Sequence, residues 1–426
     1  MRANSHSNSV RSPELLNFLN SLRIIQLGMH ERGSGGGVEC YFWDLFDNIR
    51  AVPELSVDAF YFQHRAIQSL AVPNERCIGS TGQAGYRRLW DLRRAVLPEL
   101  KSEAGQPCLV ASHFALYAAA LLPKLSRMPH VVHFHGPWAI ESAVEGKGPA
   151  NVFMKRAVER AVYSSAKAFI ALSQSFKDLL TREYRVDPGL VRIIPGAVDI
   201  RRFCPGDKIA ARERLGWPKD RRILFCLRRL VRRMGLKNLL DAFCQIAESH
   251  PDVILIIGGT GPLRPELENQ INGRGLADRI RLVGFVPNED LVSAYRAADL
   301  SIFPSQALEG FGSAAVESMA CGTPILVTPV GGLPELVMGL GSQLVLADRT
   351  TEAITNWLNR FLSGETTLPS SKECRRQVEA RFSWPIITRQ ICELYWQVAT
   401  GEQLGAIRGP RAEVAADGEV SKRESC

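Results

Sequence analysis

The chain has 426 residues, of which 46% are hydrophobic and 23% charged, and lysine plus arginine outnumber aspartate plus glutamate by 52 to 44. At roughly 100–200 residues per domain this length predicts two or three domains, and the apolar content excludes a largely disordered protein. The net charge of +8 favours anionic partners: phosphorylated substrates, nucleic acid or an acidic membrane surface.

The N-terminal residues 1–20 have no apolar core followed by a small-residue cleavage site, so we expect a flexible start and no secretory signal. The longest apolar stretch, 109–122, contains Ser112 and His113 and is shorter than the roughly 20 residues of a membrane-spanning helix. The ten cysteines show no C-x-x-C pair and no zinc-finger spacing, which favours a reducing compartment. We therefore expect a cytoplasmic protein.

The first half alternates between short apolar runs and helical patterns. The runs predicted to be buried strands lie at 23–29, 55–62, 108–112, 130–136 and 168–173. Between them, residues 86–100 and 150–166 place apolar side chains at helical spacing. Because parallel strands are joined by crossover helices, this alternation predicts an α/β protein with parallel sheets covered on both faces.

Two prolines and two glycines between 192 and 207 interrupt the alternation and predict a domain boundary. Further predicted strands then follow at 221–227, 252–259, 280–286, 299–305 and 324–329. The sequence thus predicts an N-terminal domain at 21–200, a C-terminal domain at 201–380, a last helix at 381–400 and a disordered tail at 401–426.

The strongest local signal lies at 305–337, where a predicted strand leads through Glu309-Gly310-Phe311-Gly312 into a helix that begins near Ser313. A helix N-terminus reached through glycines presents free backbone N–H groups and partial positive charge, which suit a diphosphate. Ser313 is alternatively an ordinary N-cap residue. Carboxylates at Glu309 and Glu317 suit the hydroxyls of a sugar and of a ribose, unless Glu317 is only a solvated helix residue.

This region resembles the retaining glycosyltransferases of the GT-B fold, especially the large family four that uses nucleotide-diphosphate sugars. Its two glutamates, with seven residues between them, are followed by ACGTPILVT and then by Gly331, Gly332 and Glu335. Similar segments lie at 35–39, 112–116, 133–138, 171–175, 194–205, 258–268 and 283–305. The resemblance implies two facing Rossmann-like domains with the nucleotide sugar in the cleft, and a last helix that crosses back to the N-terminal domain.

The resemblance also implies roles for individual side chains. Glu309 would contact hydroxyls of the transferred sugar, and Glu317 would hold the ribose. His135 would lie near the anomeric carbon of the donor, with His133 on the same face of its strand. Glu141 would help to orient the acceptor.

Backbone groups that contact the donor are implied on both sides of the cleft. The glycine loop at 36–37 would lie against the donor phosphates. The segment 311–313 would donate backbone N–H groups to the donor, and the nucleotide base would contact the backbone at 285–286. These positions are Gly36, Gly37, Phe285, Val286, Phe311, Gly312 and Ser313.

The diphosphate needs cations, because the leaving group gains negative charge as the glycosidic bond breaks. By resemblance, Arg229 supplies one, but the position of the family's lysine is occupied by Met234. Arg233 is our preferred substitute, since a guanidinium binds phosphate oxygens bidentately, and Lys237 is the alternative. Arg232 and Arg233 could instead simply face solvent.

The resemblance therefore predicts sugar transfer from a nucleotide-diphosphate sugar to a saccharide or lipid-linked acceptor, in polysaccharide or glycolipid assembly. We expect retention through a front-face displacement without a metal ion or other cofactor, and the chain contains no D-x-D triplet. The basic, aromatic helix at 86–97 is predicted either to rest on an anionic membrane or to be a core helix with a charged outer face.

Other functions stay open from the sequence. A nucleotide-sugar epimerase or a sugar phosphorylase would share the GT-B fold, although no site for pyridoxal phosphate is evident. A dinucleotide-dependent oxidoreductase lacks support, because neither glycine-rich loop reads G-x-G-x-x-G. No recognised motif supports nucleic-acid binding or scaffolding. The substitution at Met234 also leaves a weakened nucleotide-sugar-binding protein as an alternative.

Overall fold

The computed structural model describes residues 22–33, 36–53, 55–63, 73–100 and 107–404. The predicted flexible start at 1–20 and all of the predicted tail beyond residue 404 lie outside the described residues. Over the described ranges, no helix combines the length and the apolarity that crossing a bilayer requires.

The first half is built on a parallel sheet with strand order β3–β2–β1–β4–β5–β6–β7. Its strands are β1 (Arg23–His30), β2 (Ser56–Gln63), β3 (Glu75–Ser80), β4 (Cys108–Ser112), β5 (His130–Phe134), β6 (Ala168–Ala171) and β7 (Val191–Ile193). Every residue of β4 and β5 is buried, as expected for strands covered on both faces.

Helices cover both faces of this sheet. They are α1 (Gly37–Arg50), α2 (Gly85–Glu99), α3 (Ala115–Ala119), α4 (Trp138–Val144), α5 (Pro149–Tyr163) and α6 (Gln174–Tyr184). Phe46 and Ile49 of α1 are buried in the core on one face, and Leu92 and Val96 of α2 are buried in the core on the other.

The second half repeats this plan with a parallel sheet in the order β10–β9–β8–β11–β12. Its strands are β8 (Arg222–Leu227), β9 (Val253–Gly258), β10 (Ile280–Gly284), β11 (Leu300–Phe303) and β12 (Ile325–Val327). The helices that follow α6 are α7 (Lys208–Leu215), α8 (Leu236–Ile246), α9 (Arg264–Gly273), α10 (Asn288–Ala297), α11 (Ser313–Ala320), α12 (Leu333–Leu336), α13 (Thr351–Leu362), α14 (Ser371–Arg381) and α15 (Trp384–Thr400).

The chain crosses between its halves twice, and the two crossings lie side by side. Val198 N donates to Phe382 O at 2.8 Å, and Val198 and Ser383 form a parallel bridge. Beyond the second crossing, α15 packs on the first sheet, where Ile391 and Leu394 are fully buried. The last helix of the second half therefore completes the core of the first.

Two strands were not predicted from the sequence. β3 is an edge strand that is partly exposed along its whole length, and β7 has only three residues, two of them in the predicted boundary segment. β3 shows neither the alternation nor the apolar run that identifies a strand, and β7 is too short to show either. The predicted strand at 168–173 ends early, at Ala171, because the side chain of Ser173 caps α6 by accepting from Phe176 N.

The strand order reverses at one point in each sheet, between β1 and β4 in the first half and between β8 and β11 in the second. Loops that leave two such neighbouring strands run to opposite faces of the sheet. A crevice therefore opens at the carboxyl ends of the strands, which is where ligands bind in α/β folds of this type.

Replacement of Ile391 by alanine tests the docking of α15. The side chain is fully buried in the core of the first domain, so its loss should cost about 2–5 kcal/mol in the free energy of unfolding. Urea unfolding followed by circular dichroism measures this. Arg389→Ala, an exposed position on the same helix, is the control and should change stability by less than about 0.5 kcal/mol. Equal effects of the two variants would contradict the packing.

Candidate active site

The loop between β11 and α11 holds Glu309 at the carboxyl end of the second sheet. Leu308 and Gly312 have positive φ angles of 54° and 88°, so the chain turns sharply on both sides of Glu309. A side chain at Gly331 would place its Cβ 1.8 Å from the Glu309 carbonyl oxygen, to which Gly332 N donates at 2.9 Å. Only glycine at 331 allows this close approach, which fixes the Glu309 backbone.

The Glu309 carboxylate is largely buried and pairs with Arg228. Nη1 of Arg228 lies 3.0 Å from Oε2 of Glu309, and Ser305 Oγ donates to the same oxygen at 3.1 Å. Among the described residues, the other oxygen, Oε1, has no hydrogen-bond partner. Glu309 therefore has one oxygen that is held by the protein and one that is left for a ligand.

Glu317 lies on α11 and accepts a hydrogen bond from Tyr295 Oη of α10 at 2.7 Å. Burial raises the pKa of its carboxyl, although the hydrogen bond from Tyr295 and the charge of Arg202 oppose this. The charge of Asp44, on α1 of the first half, also acts on Glu317. Glu317 is therefore not a solvated helix residue, because it faces the cleft between the halves.

The N-terminus of α11 has no side-chain cap. Gly312, and not Ser313, is the N-cap residue, and Ser313 is exposed at the first helical position. Phe311 is 5% exposed, and its ring meets that of Phe382 at a centroid distance of 5.6 Å. Phe311 therefore offers only its backbone to the site.

The glycine loop before α1 reaches the same region from the first half. A Cβ on Gly36 would lie 1.9 Å from Oε2 of Glu39, so the carboxylate of Glu39 would have to move to admit a side chain there. A Cβ on Gly37 would meet nothing within 4 Å. Gly37 thus leaves the start of α1 open to a ligand.

The predicted cations differ in their surroundings. Arg229 is exposed, and its guanidinium has no partner among the described residues. Arg233 is 7% exposed, with Nη1 donating to Leu308 O at 3.2 Å and Nη2 lying 3.7 Å from Oε1 of Glu141. Lys237 pairs on the surface with Glu266.

The residues predicted to contact the nucleotide base, Phe285 and Val286, are less buried than those around Glu309. Val286 is partly buried, and its Cγ2 packs against Gly258 at the end of β9, where a Cβ would come within 2.8 Å. Phe285 is 66% exposed.

His135 belongs to a cluster of three histidines. Its Nε2 lies 3.0 Å from Nδ1 of His113, and the three rings of His113, His133 and His135 are nearly parallel. Burial lowers the pKa of His135 to about 4 and holds the pKa values of His113 and His133 well below their usual range. All three are therefore neutral at neutral pH.

Tyrosine hydroxyls hold the second histidine of this cluster. Nε2 of His133 lies 2.6 Å from Tyr395 Oη on α15, and Nδ1 lies 3.2 Å from Tyr41 Oη on α1. Ligand nitrogens of the three histidines lie within 4.8 Å of one another, close enough for a metal ion. Both nitrogens of His133 are already engaged, so the arrangement fits a hydrogen-bonded network better than a prepared metal site.

The two halves also touch next to the site. Oε1 of Glu335 accepts from Gln174 N at 2.9 Å, at the start of α6. A Cβ on Gly310 would lie 2.4 Å from the ring of Phe176 on the same helix. The loop that contains Glu309 is therefore supported from the first domain.

Sequence reasoning missed several residues that support the site. Arg228 was hidden beside Arg229 in a cluster of arginines, and Tyr295, Tyr41 and Tyr395 carried no motif. Their partners lie 22, 92 and 262 residues away in the sequence. No local pattern can reveal contacts over such separations. For the histidine cluster, the segment SHFAL (112–116), which contains His113, was a signal because it resembles the family.

Comparison with known families matches both halves of the chain. Residues 36–202 match glycosyltransferase family 4, and residues 207–381 match glycosyl transferases group 1. A D-inositol 3-phosphate glycosyltransferase of Corynebacterium urealyticum is 31% identical over 415 residues, covering 90% of this chain and 97% of that protein. One of the same description from Saccharomonospora viridis is 33% identical over 267 residues, 60% of each chain.

Solved structures share the two-sheet architecture. Sucrose-phosphate synthase from Thermosynechococcus elongatus superposes with a TM-score of 0.75 at 25% identity, covering 89% of this chain and all of that one. Anabaena HepE in complex with UDP gives a TM-score of 0.69 at 22% identity, covering 87% and 98% of the two chains. HepE is also known in complex with UDP-glucose.

Replacement of Tyr395 by phenylalanine tests the histidine cluster. It removes the 2.6 Å contact to His133 and leaves a buried ring nitrogen without a partner, so the free energy of unfolding should fall by about 1–3 kcal/mol. Tyr41→Phe removes the longer, 3.2 Å contact and should cost less. Thermal unfolding of the two variants measures the difference, and the reverse order would contradict this network.

Proposed function

The chain belongs to the group 1, family-four glycosyltransferases, and we propose that it transfers a sugar to a hydroxyl of its acceptor with retention of anomeric configuration. We propose a UDP-sugar as the donor because HepE, which has a similar structure, is known in complex with UDP and with UDP-glucose. The family and the GT-B fold predicted from the sequence are confirmed. The chain is a glycosyltransferase with a nucleotide-sugar donor. The base, the sugar, the stereochemistry and the acceptor are the proposal.

One observation carries the proposed donor site: two carboxylates flank an uncapped helix N-terminus. Glu309 lies before α11, Glu317 lies within it, and backbone N–H groups at Ser313 lie between them. A diphosphate at the helix start would then have the sugar on the Glu309 side and the ribose on the Glu317 side. Gly37 on α1 would face the same phosphates from the first half.

Retention follows if the leaving phosphate oxygen accepts the proton of the acceptor hydroxyl on the face from which it departs. In that mechanism the protein must stabilise the charge that develops on the diphosphate. Arg229 and Arg233 would supply two guanidiniums for this purpose, and we expect no metal ion to be required. His135 is neutral and would present a ring nitrogen or its backbone near the anomeric carbon.

Nucleotide binding tests the donor site. Calorimetry with UDP should show binding that EDTA does not change and that Glu317→Gln weakens about tenfold to hundredfold, because hydrogen bonds to a charged group contribute about 1.5–3 kcal/mol.

The pH dependence of UDP binding tests the surroundings of Glu317. Burial raises the pKa of its carboxyl, so acidification should begin to lower UDP affinity at a pH above the usual pKa range of a carboxyl group. The Gln variant should lack this pH dependence.

Glu352→Gln, an exposed carboxylate on α13, is the matched control and should bind UDP like the wild type. The transfer itself is then measured with UDP-glucose and inositol phosphate, following the anomeric proton of the product by NMR. The α-linked product is expected. A β-linked product would refute retention, and binding of GDP or ADP in preference to UDP would refute the proposed base.

Two acceptors are each favoured by an observation. The relatives that extend over most of this chain are described as D-inositol 3-phosphate glycosyltransferases, which favours a phosphorylated polyol. The first domain has exposed apolar side chains with adjacent basic residues, which favours a lipid-linked acceptor at an anionic membrane. Those side chains are Tyr86 and Trp90 on α2 and Phe153 and Met154 on α5, all more than half exposed.

The two helices lie in one layer, because α3 contacts both. Arg88 of α2 donates to Tyr117 Oη of α3 at 3.2 Å, and α3 packs against α5. The guanidinium of Arg94 lies 5.4 Å from the ring centroid of Trp90. Helix α2 buries Leu92 and Val96, so it is a core helix whose outer face carries both charge and aromatic rings.

Vesicle sedimentation tests the membrane proposal. Vesicles of phosphatidylglycerol and phosphatidylcholine should bind the wild type, more weakly at high salt because exposed charges are screened, and vesicles of phosphatidylcholine alone should not. The double variant Trp90→Ala/Phe153→Ala should lose most of this binding. Met338→Ala, 63% exposed in the other half, should not. Equal binding by all variants would show that these side chains do not form the membrane contact, and no binding by the wild type would favour the soluble phosphorylated acceptor.

A further inference from the structure

Arg228 is a buried guanidinium that the proposed mechanism does not use. It follows β8 directly, its side chain is 6% exposed, and its guanidinium lies 4.8 Å from the centroid of the Phe303 ring. Its backbone is fixed on both sides: Arg228 N donates to Gly258 O at 3.0 Å, and a Cβ on Gly259 would lie 1.9 Å from Arg228 O. The backbone from which the Arg228 side chain extends is therefore fixed.

The guanidinium closes a triangle with two residues of the β11–α11 loop. Nη1 contacts Oε2 of Glu309 at 3.0 Å, Nη2 donates to Ser305 Oγ at 3.0 Å, and Ser305 Oγ donates to the same Oε2 at 3.1 Å. Ser305 is fully buried, and its carbonyl oxygen accepts from Thr328 Oγ1 at 2.7 Å. Arg228 is thus anchored to the end of β9, and Ser305 and Glu309 are both anchored to the loop that follows β12.

Two donors on one carboxylate oxygen fix the orientation of the whole group. With Oε2 satisfied, Oε1 is the atom of Glu309 that remains to accept from a ligand. A buried charge without its partner is costly, so the contact with Arg228 also holds Glu309 in this rotamer.

We propose that Arg228 is a positioning residue, which holds Glu309 so that Oε1 faces the sugar of the donor and thereby sets affinity for the sugar half of the nucleotide sugar. This inference rests on the proposed donor site. It assigns Arg228 a role distinct from that of its exposed neighbour Arg229, because a guanidinium engaged by Glu309 and Ser305 has less capacity left for the diphosphate.

The test compares UDP and UDP-glucose as ligands in calorimetry. Arg228→Met keeps the length of the side chain and removes its charge. We expect UDP to bind within about threefold of the wild type and UDP-glucose to bind tenfold to hundredfold more weakly. Ser305→Ala should change the same ratio in the same direction by a smaller factor, and Arg228→Lys should restore part of it.

Controls separate positioning from folding. Arg222→Met changes an exposed arginine at the other end of β8 and should alter neither affinity. Arg228→Met leaves Glu309 buried without its cation, so it should be less stable than the wild type, and the double variant Arg228→Met/Glu309→Gln should recover thermal stability. A fold-only role of Arg228 would lower the affinity for UDP as much as that for UDP-glucose.

Two results would overturn the inference. One is an unchanged ratio of UDP-glucose to UDP affinity in Arg228→Met and Ser305→Ala. The other is an equal loss for both ligands, which would place Arg228 on the diphosphate. If the wild type bound neither ligand, the proposed donor site itself would fail, and this inference would fail with it.

Discussion

The relative position of the two halves depends on the hydrogen-bonded contact between the two segments that connect them, at Val198 and at Phe382. The backbone hydrogen bond from Val198 N to Phe382 O ties the outgoing crossing to the returning one. Since α15 then completes the core of the first sheet, the first domain cannot reach its full packing without the end of the chain. The same helix carries Tyr395 to His133, so the returning segment also supports the histidine cluster next to the site.

Buried charge imposes the second constraint on the site. Burial of a carboxylate such as Glu309 is costly without a neighbouring cation, and Arg228 is that cation. Glu317 has a neutral partner instead, the hydroxyl of Tyr295, and burial correspondingly raises its pKa. The two glutamates of one motif therefore have different electrostatic surroundings, which suits one to a fixed orientation and the other to a pH-sensitive contact.

The sequence predicted the fold well because the interior strands and the helices carry strong local patterns. Strand β4 was predicted with the bounds that the structure has, since Cys108–Ser112 is wholly buried and apolar runs identify such strands. The edge strands β3 and β7 were missed, because they depend on pairing with neighbours rather than on their own residues. Of the site, the loop–helix with Glu309 and Glu317 was recognisable from its motif. The partners of these residues were not, because Arg228 and Tyr295 approach them only after the chain has folded.

The missing lysine at Met234 does not leave the site short of positive charge. Met234 is 6% exposed and lies in the core, so the fold directs that position inward. Arg233 is the neighbouring cation, and it is shared between Leu308 O and the carboxylate of Glu141. On the proposed donor placement, a diphosphate would compete with Glu141 for this guanidinium. Because Glu141 belongs to the first domain, that competition would couple donor binding to the side of the cleft where the acceptor is proposed to lie.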